Sequence, residues 1–201
     1  LPKYRGASPI QAAILNNERE TGVTILKMTE KMDAGPIISQ KVMKVEPEET
    51  AEELYKKLSS LAANILLPVI ENWLAGKLKP TPQNEALATY TKILKKEDGQ
   101  ISWQKTADEI ERQICAFSPW PASFSQLADG KMLKIIKVQK YSGKDAGFKA
   151  GQVFLTPDKK IAIKTKKDSL IVEQLQMEGK KPMSSQEFLN GHPEIIGSAL
   201  K

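Results

Sequence analysis

The chain has one cysteine, one histidine and no initiating methionine among its 201 residues. A lone thiol, Cys115, excludes an intrachain disulfide and any cysteine metal cluster. It falls inside a helix beside Ile114, with no base near it in the sequence, and reads as a core thiol rather than a nucleophile. The one histidine, His192, follows Gly191 in the C-terminal stretch and reads as a surface group. No apolar run approaches the roughly 18 residues that a membrane span needs, so no membrane partner is expected. Internal repeats and low-complexity segments are missing too. Because residue 1 is Leu, a chain lacking its natural start is expected, and no targeting signal is legible.

What is present is ordinary in bulk and uneven in detail. Hydrophobic residues make up 40% and charged residues 27%, as in a globular protein large enough for one or two domains. The formal net charge is +6, and within residues 131–167 eleven lysines face only Asp145 and Asp158. A field that concentrated attracts polyanions and neutralises phosphates.

Two β-rich runs, Val23–Met28 and Ile37–Val45, flank a polar turn containing Asp33, Ala34, Gly35 and Pro36. Gly35 permits backbone conformations that other residues resist and Pro36 fixes φ, so a single carboxylate is held on a stiff loop between two strands. A short helix over residues 7–17 precedes them. Thr50 and Glu53 form a capping box for a helix with Leu54, Leu58, Leu61 and Ile65 on one face. Pro68 should kink or restart it, and Trp73 should continue the buried face. Residues 79–97 have the breakers of a connector. Capping boxes recur at Thr106–Glu109 and Ser184–Glu187. Between them, short strands are expected at Phe124–Leu127, Met132–Val138, Gln152–Leu155, Ile161–Thr165 and Leu170–Leu175, with a bulge at Ile135-Ile136. In residues 160–166 the lysines alternate with Ile161 and Ile163 and should share a face away from them. Trp103, Phe117 and Trp120 are expected in the core rather than stacked on bases.

Four stretches carry a family resemblance. They are Leu1-Pro2-Lys3-Tyr4-Arg5-Gly6-Ala7-Ser8-Pro9-Ile10-Gln11, Glu20-Thr-Gly-Val-Thr with the Asp33-Ala-Gly35 turn, Thr89-Tyr90 with Lys92–Glu97, and Gly179–Gly191. Together they resemble the folate-dependent formyltransferases, and within them the methionyl-tRNA formyltransferase family. The tail stretch discriminates most. The resemblance implies an α/β remnant of a Rossmann-like formyltransferase domain over residues 1–78, a linker over 79–97, and an OB-like β-barrel over 98–201. It implies transfer of a formyl group from 10-formyltetrahydrofolate, without a metal, to the amino group of initiator methionyl-tRNA. Asp33 would be catalytic, and Leu1 and Pro2 would border the folate site. Lys92, Lys95 and Lys96 match basic residues near the family's connector, and with Lys134, Lys160, Lys164 and Lys166, singled out by the charge concentration of 131–167, they are expected to contact transfer RNA. The family's Asn and His precede Leu-Pro and are not in this sequence, so the chain as given should be inactive. A cytoplasmic monomer is implied, with an organellar location left open. The alternatives are a non-catalytic nucleic-acid-binding module and a formyltransferase acting on another amine.

Overall fold

The computed structural model describes residues 1–201, which divide into two compact units, Leu1–Leu94 and Lys95–Lys201. In the first, β1 (Arg5–Gly6) leads into α1 (Pro9–Leu15), a hairpin of β2 (Glu20–Leu26) and β3 (Ile37–Lys44), and the long α2 (Ala51–Leu74). β4 (Tyr90–Thr91) then returns to pair in parallel with β1, Arg5 opposite Tyr90 and Gly6 opposite Thr91. β2 and β3 are antiparallel, from Glu20 opposite Lys44 to Leu26 opposite Ile37, with a register shift at Ile25/Leu26.

α2 begins as its sequence requires. Thr50 Oγ accepts from the Glu53 N–H, and Glu53 reaches back to the Thr50 N–H. Accepting these bonds holds the Glu53 carboxyl below its ordinary range. The helix does not restart at Pro68 but runs on as one element to Leu74. The missing Pro68 N–H strands the carbonyl of Asn64, which lies on an exposed stretch where water can serve it. Leu54 and Leu58 are buried, but Leu66, Leu67, Ile70, Trp73 and Leu74 are exposed. The apolar spacing is real there, yet little in the unit covers it, so Trp73 is not the core residue its spacing suggests.

The expected connector is tied to the first unit through Leu94. Thr81 exchanges backbone hydrogen bonds with Ile37, residues 85–87 form a short helical turn, and residues 90–91 are β4 itself. The division between units falls at its far end.

The second unit opens on a helical turn over Lys96–Gly99, followed by α3 (Ala107–Ala116), capped by Thr106 and Glu109. An antiparallel sheet follows: β5 (Ser123–Gln126), β6 (Met132–Tyr141), β7 (Val153–Leu155), β8 (Ile161–Lys164), β9 (Ser169–Met177) and β10 (Met183–Ser184). Its order is β5-β6-β9-β8-β7, with β10 on β9 beyond the end of β8. The register of β6 on β9 slips around Ile136, where the expected bulge sits, and such a bulge bends and twists the strand. The sheet therefore curls around one core built from Ile110 and Ile114 of α3, Leu133, Ile135, Ile163, Leu170, Val172 and Leu175 of the strands, and Phe188 of α4 (Ser185–Gly191). Each such side chain contributes about 1.5–3 kcal/mol by leaving water. Trp103 is also buried there, and its indole N–H donates to Ser125 Oγ at 2.9 Å. Phe117 is buried as expected, whereas Trp120 is exposed.

The last residues bridge the sheet's two outer strands. Gly197 N–H donates to the Val153 carbonyl and Val153 N–H to the Ser198 carbonyl, beside β7. Lys201 exchanges backbone bonds with Gln126 at the end of β5. Ser125 Oγ, which receives the Trp103 N–H, donates to the Lys201 carbonyl at 2.7 Å. Ile195 and Leu200 are buried beneath this strap.

Candidate active-site loop and basic surface

Asp33 is the carboxylate of the turn between β2 and β3. Its backbone adopts φ 55°, a left-handed conformation that Asp tolerates better than most residues. Its Oδ2 accepts the Gly6 N–H at 2.8 Å, so the turn is fastened to β1 through the carboxylate itself. Gly35 matters here for space rather than for an unusual φ. A Cβ at this position would lie 1.8 Å from the Lys27 carbonyl oxygen. The close approach closes the mouth of the hairpin, where Lys27 N–H donates to the Pro36 carbonyl.

A second set of bonds holds the turn from residues that the sequence places in a connector. Gln83 Nε2 donates to the carbonyls of Asp33 at 2.8 Å and Gly35 at 2.7 Å. Gln83 Oε1 accepts from Arg5 Nε and Nη2. Arg5 is buried, 1% exposed, and its Nη1 and Nη2 grip both oxygens of Glu85 at 3.0 and 2.8 Å. Nη1 also donates to Tyr90 Oη. The Arg5 contact holds the Glu85 carboxyl below its ordinary range. Sequence reading gave no role to Arg5, Gln83, Glu85 or Tyr90. Their only legible signal was that Arg5 and Tyr90 sit in resemblance stretches.

Asp33, Leu1 and Pro2 all line one cleft of about 590 Å³, together with Tyr4, Glu18 and Gln40. Gln40 Nε2 donates to the Leu1 carbonyl and to Thr24 Oγ1. Tyr4 Oη donates to Glu18 at 2.7 Å, and burial together with that carboxylate pushes the phenol up to about 12. Glu18 is lowered in turn by the hydrogen bonds from Tyr4 and Lys3. At neutral pH this wall is a neutral phenol on an ionised carboxylate. The cleft falls within the 300–1,000 Å³ common for small-molecule sites.

The seven lysines singled out by sequence are not equivalent. Lys92 follows β4, and its carbonyl accepts from Ser8 Oγ. Lys95 and Lys96 are exposed at the start of the second unit. Lys134 lies on β6 opposite Gln176 of β9. Lys160 precedes β8 and Lys166 follows it, so these two sit at opposite ends of one strand. Lys160 pairs with Asp158 at 3.5 Å. Lys164 is largely buried, with its ammonium 2.7 Å from Asp145 and donating to the Asp168 carbonyl. The alternation places Ile161 and Ile163 in the core, as expected, but the opposite face is not simply solvated. Ala162 there joins Phe154 and Ile171 in a second apolar cluster, and Phe148 stacks on Phe154 at 4.1 Å between ring centroids. Lys137 and Lys140 of β6 are also paired, with Glu173 and with Asp108 and Glu111.

This arrangement of a carboxylate turn and a curled sheet belongs to a known class. Residues 1–70 match the family model described as "Formyl transferase" and residues 93–193 the model described as "Formyl transferase, C-terminal domain"; the chain belongs to the formyl transferase family. Curated relatives narrow the comparison. The "Methionyl-tRNA formyltransferase" of Myxococcus xanthus is 38% identical over 198 residues, covering 98% of this chain and 62% of the relative. That of Methylacidiphilum infernorum is 39% identical, covering 100% of this chain and 63% of the relative. The chain thus spans a little over three fifths of the length of these relatives. Among solved structures, HypX from Aquifex aeolicus, titled as a complex with tetrahydrofolic acid, has a TM-score of 0.71 at 21% identity, covering 97% of this chain and 34% of its own. An N-formyltransferase from Helicobacter canadensis, titled as a complex with folinic acid and dTDP-3-aminofucose, has a TM-score of 0.66 at 26% identity, over 88% of this chain and 63% of that one.

Proposed function

We propose that this chain is part of an enzyme that moves a formyl group from 10-formyltetrahydrofolate to the amino group of initiator methionyl-tRNA. The observation that carries the reading is the 38% identity to a methionyl-tRNA formyltransferase across 98% of the chain, both units included. An amine attacking a formamide carbon needs a proton acceptor, donors for the developing oxyanion and a proton for the leaving nitrogen. Asp33 supplies the first of these through a partner. Its Oδ2 is held by the Gly6 N–H, and its carboxylate orients the imidazole that the resemblance places ahead of Leu1. A carboxylate in that role fixes the tautomer and stabilises the imidazolium. Leu1 and Pro2 form one wall of the folate site, and the cleft they share with Asp33 has room for part of a donor that size.

The second unit is the transfer-RNA module. We read its curled sheet, bridged at both edges by residues 197–201, as an OB-like barrel. Lys134, Lys160 and Lys166 meet phosphates directly, with Lys92, Lys95 and Lys96 contributing from the connector. Lys164, paired with Asp145, lies at the same surface. Each lost phosphate contact lowers the dependence of log affinity on log salt by about one unit, for all sequences alike. Transfer-RNA binding against salt for Lys160→Ala and Lys166→Ala reads this, and unchanged slopes would remove them from the surface. An amino-sugar acceptor is the second reading, supported by the likeness to the Helicobacter canadensis enzyme at 26% identity. The higher identity to the methionyl-tRNA enzymes favours the first.

The central test is a formylation assay with 10-formyltetrahydrofolate and methionyl-tRNA. In the full-length protein Asp33→Asn should lower the rate on the order of 10⁴-fold, the scale of the comparable change in a catalytic triad. The 201-residue chain alone should show no turnover. Activity of the isolated chain, or full activity of the Asn variant, would place the chemistry elsewhere.

A further inference from the structure

The Asp33 turn is held by a side chain fifty residues away, and every polar group of that side chain and of the arginine behind it is used. A primary amide has two N–H donors and one carbonyl with two lone pairs. Gln83 spends both hydrogens on the Asp33 and Gly35 carbonyls and accepts two bonds from Arg5. Arg5 in turn has five N–H donors. They go to Gln83 twice, to Glu85 twice and to Tyr90 once, in a side chain that is 1% exposed. A flipped Gln83 amide would set oxygen against two carbonyls and N–H groups against a guanidinium, so its orientation is fixed.

The same residue, Arg5, acts on the turn twice. Its side chain holds Gln83, and the next peptide N–H, that of Gly6, holds Asp33 Oδ2. The backbone of the turn and its carboxylate are therefore referenced to one point on β1. This matters because a non-glycine residue at φ 55° is held in a sparsely populated conformation and would relax if released.

We propose that Gln83, locked by Arg5 and Glu85, is a positioning residue for the Asp33 carboxylate: it clamps the left-handed turn so that Oδ2 stays on the Gly6 N–H and the other oxygen is presented to the cleft. The proposal rests on the reading of Asp33 as the group that orients the catalytic imidazole. Gln83 does not line the cleft, so its removal should act on the chemical step through Asp33 and leave binding of the formyl donor alone.

The test is a double-mutant cycle in the full-length protein, read by formylation kinetics and thermal melting. Gln83→Ala should lower kcat roughly 10- to 100-fold, the scale of a misplacement of about 1 Å, with KM for the formyl donor unchanged. Gln83→Glu should do the same despite its near-identical shape, because it turns an acceptor toward two carbonyls. In an Asp33→Asn background, Gln83→Ala should cost less than about threefold, since the group it positions is already disabled. Full activity of Gln83→Ala beside an impaired Asp33→Asn overturns the proposal alone. An equal loss in both backgrounds also overturns it, showing that Gln83 acts elsewhere. Full activity of Asp33→Asn overturns the Asp33 reading and the proposal with it. If melting shows that Gln83→Ala does not fold, Glu85→Gln at an exposed carboxylate takes its place. A several-fold loss of kcat that vanishes in the Asp33→Asn background supports the proposal, and no loss overturns it.

Discussion

The two units are held together by different forces. Twenty-three of the twenty-nine buried apolar residues lie in the second, whereas twelve of the fifteen large apolar residues left exposed lie in the first. The second unit is stabilised mainly by apolar area around one curled sheet. The first, with only Ala13, Ile14, Ala51, Leu54, Leu58 and Leu94 buried among its apolar residues, relies on directed polar ties such as Arg5–Glu85 and Gln83–Asp33. Apolar packing gives stability, being additive and tolerant of direction. Hydrogen bonds give little net stability, about 1 kcal/mol each, but they fix where an atom sits. The unit with the candidate chemistry is the one organised for position.

The largest expected effect separates the units. Residues 95–201 expressed alone should melt cooperatively, because their core is complete. Residues 1–94 alone should lose structure gradually with urea and bind a hydrophobic dye. A sharp transition in the first unit, or none in the second, breaks the comparison. The next effect contrasts two tryptophans. Trp103→Ala empties a buried site and removes the donor to Ser125, so it should cost about 3–5 kcal/mol in the unfolding of the second unit. Trp73→Ala, on the exposed stretch of α2, should cost less than about 1 kcal/mol. Equal costs would mean that Trp73 is packed as its spacing suggested.

That pair also shows what was legible in the sequence. Helical spacing placed Trp73 and Ile110 on apolar stripes with equal clarity, but spacing reports which residues share a face, not whether anything meets it. Local rules did better. All three capping boxes formed, because each is settled within four residues. The bulge in β6 was visible as two adjacent isoleucines in an alternating run. The Gln83 clamp was invisible for the opposite reason. Its partners lie 48 to 78 residues away in sequence, and an amide bonding to backbone carbonyls leaves no periodic trace. Lys164 was legible in part, since alternation fixed its strand position but not the Asp145 carboxylate that a distant loop brings to it.

The smallest expected effect is in acid. Glu109 and Glu187 accept backbone N–H bonds from Thr106 and Ser184, which lowers both carboxyls from the ordinary value of 4.5. A depressed carboxyl stabilises the folded state fully above its unfolded value and loses that contribution as pH falls through the folded one. The melting temperature of the second unit should therefore hold down to about pH 4.5 and decline below it. Glu109→Gln/Glu187→Gln should flatten the decline. An unchanged acid limb would assign it to other carboxylates.

Each unit is closed by a tie between distant parts of the chain: Arg5 to Glu85, eighty residues apart, and Ser125 to Lys201, seventy-six apart. During synthesis the Asp33 turn leaves the ribosome some fifty residues ahead of Gln83, the side chain that clamps it. The sheet's outer strands likewise wait, unjoined, for residues 197–201 to emerge. Loops of that span close late and slowly, and unpaired strand edges invite wrong partners in the interval. The nascent chain is therefore most vulnerable to aggregation and proteolysis just before each of these two closures.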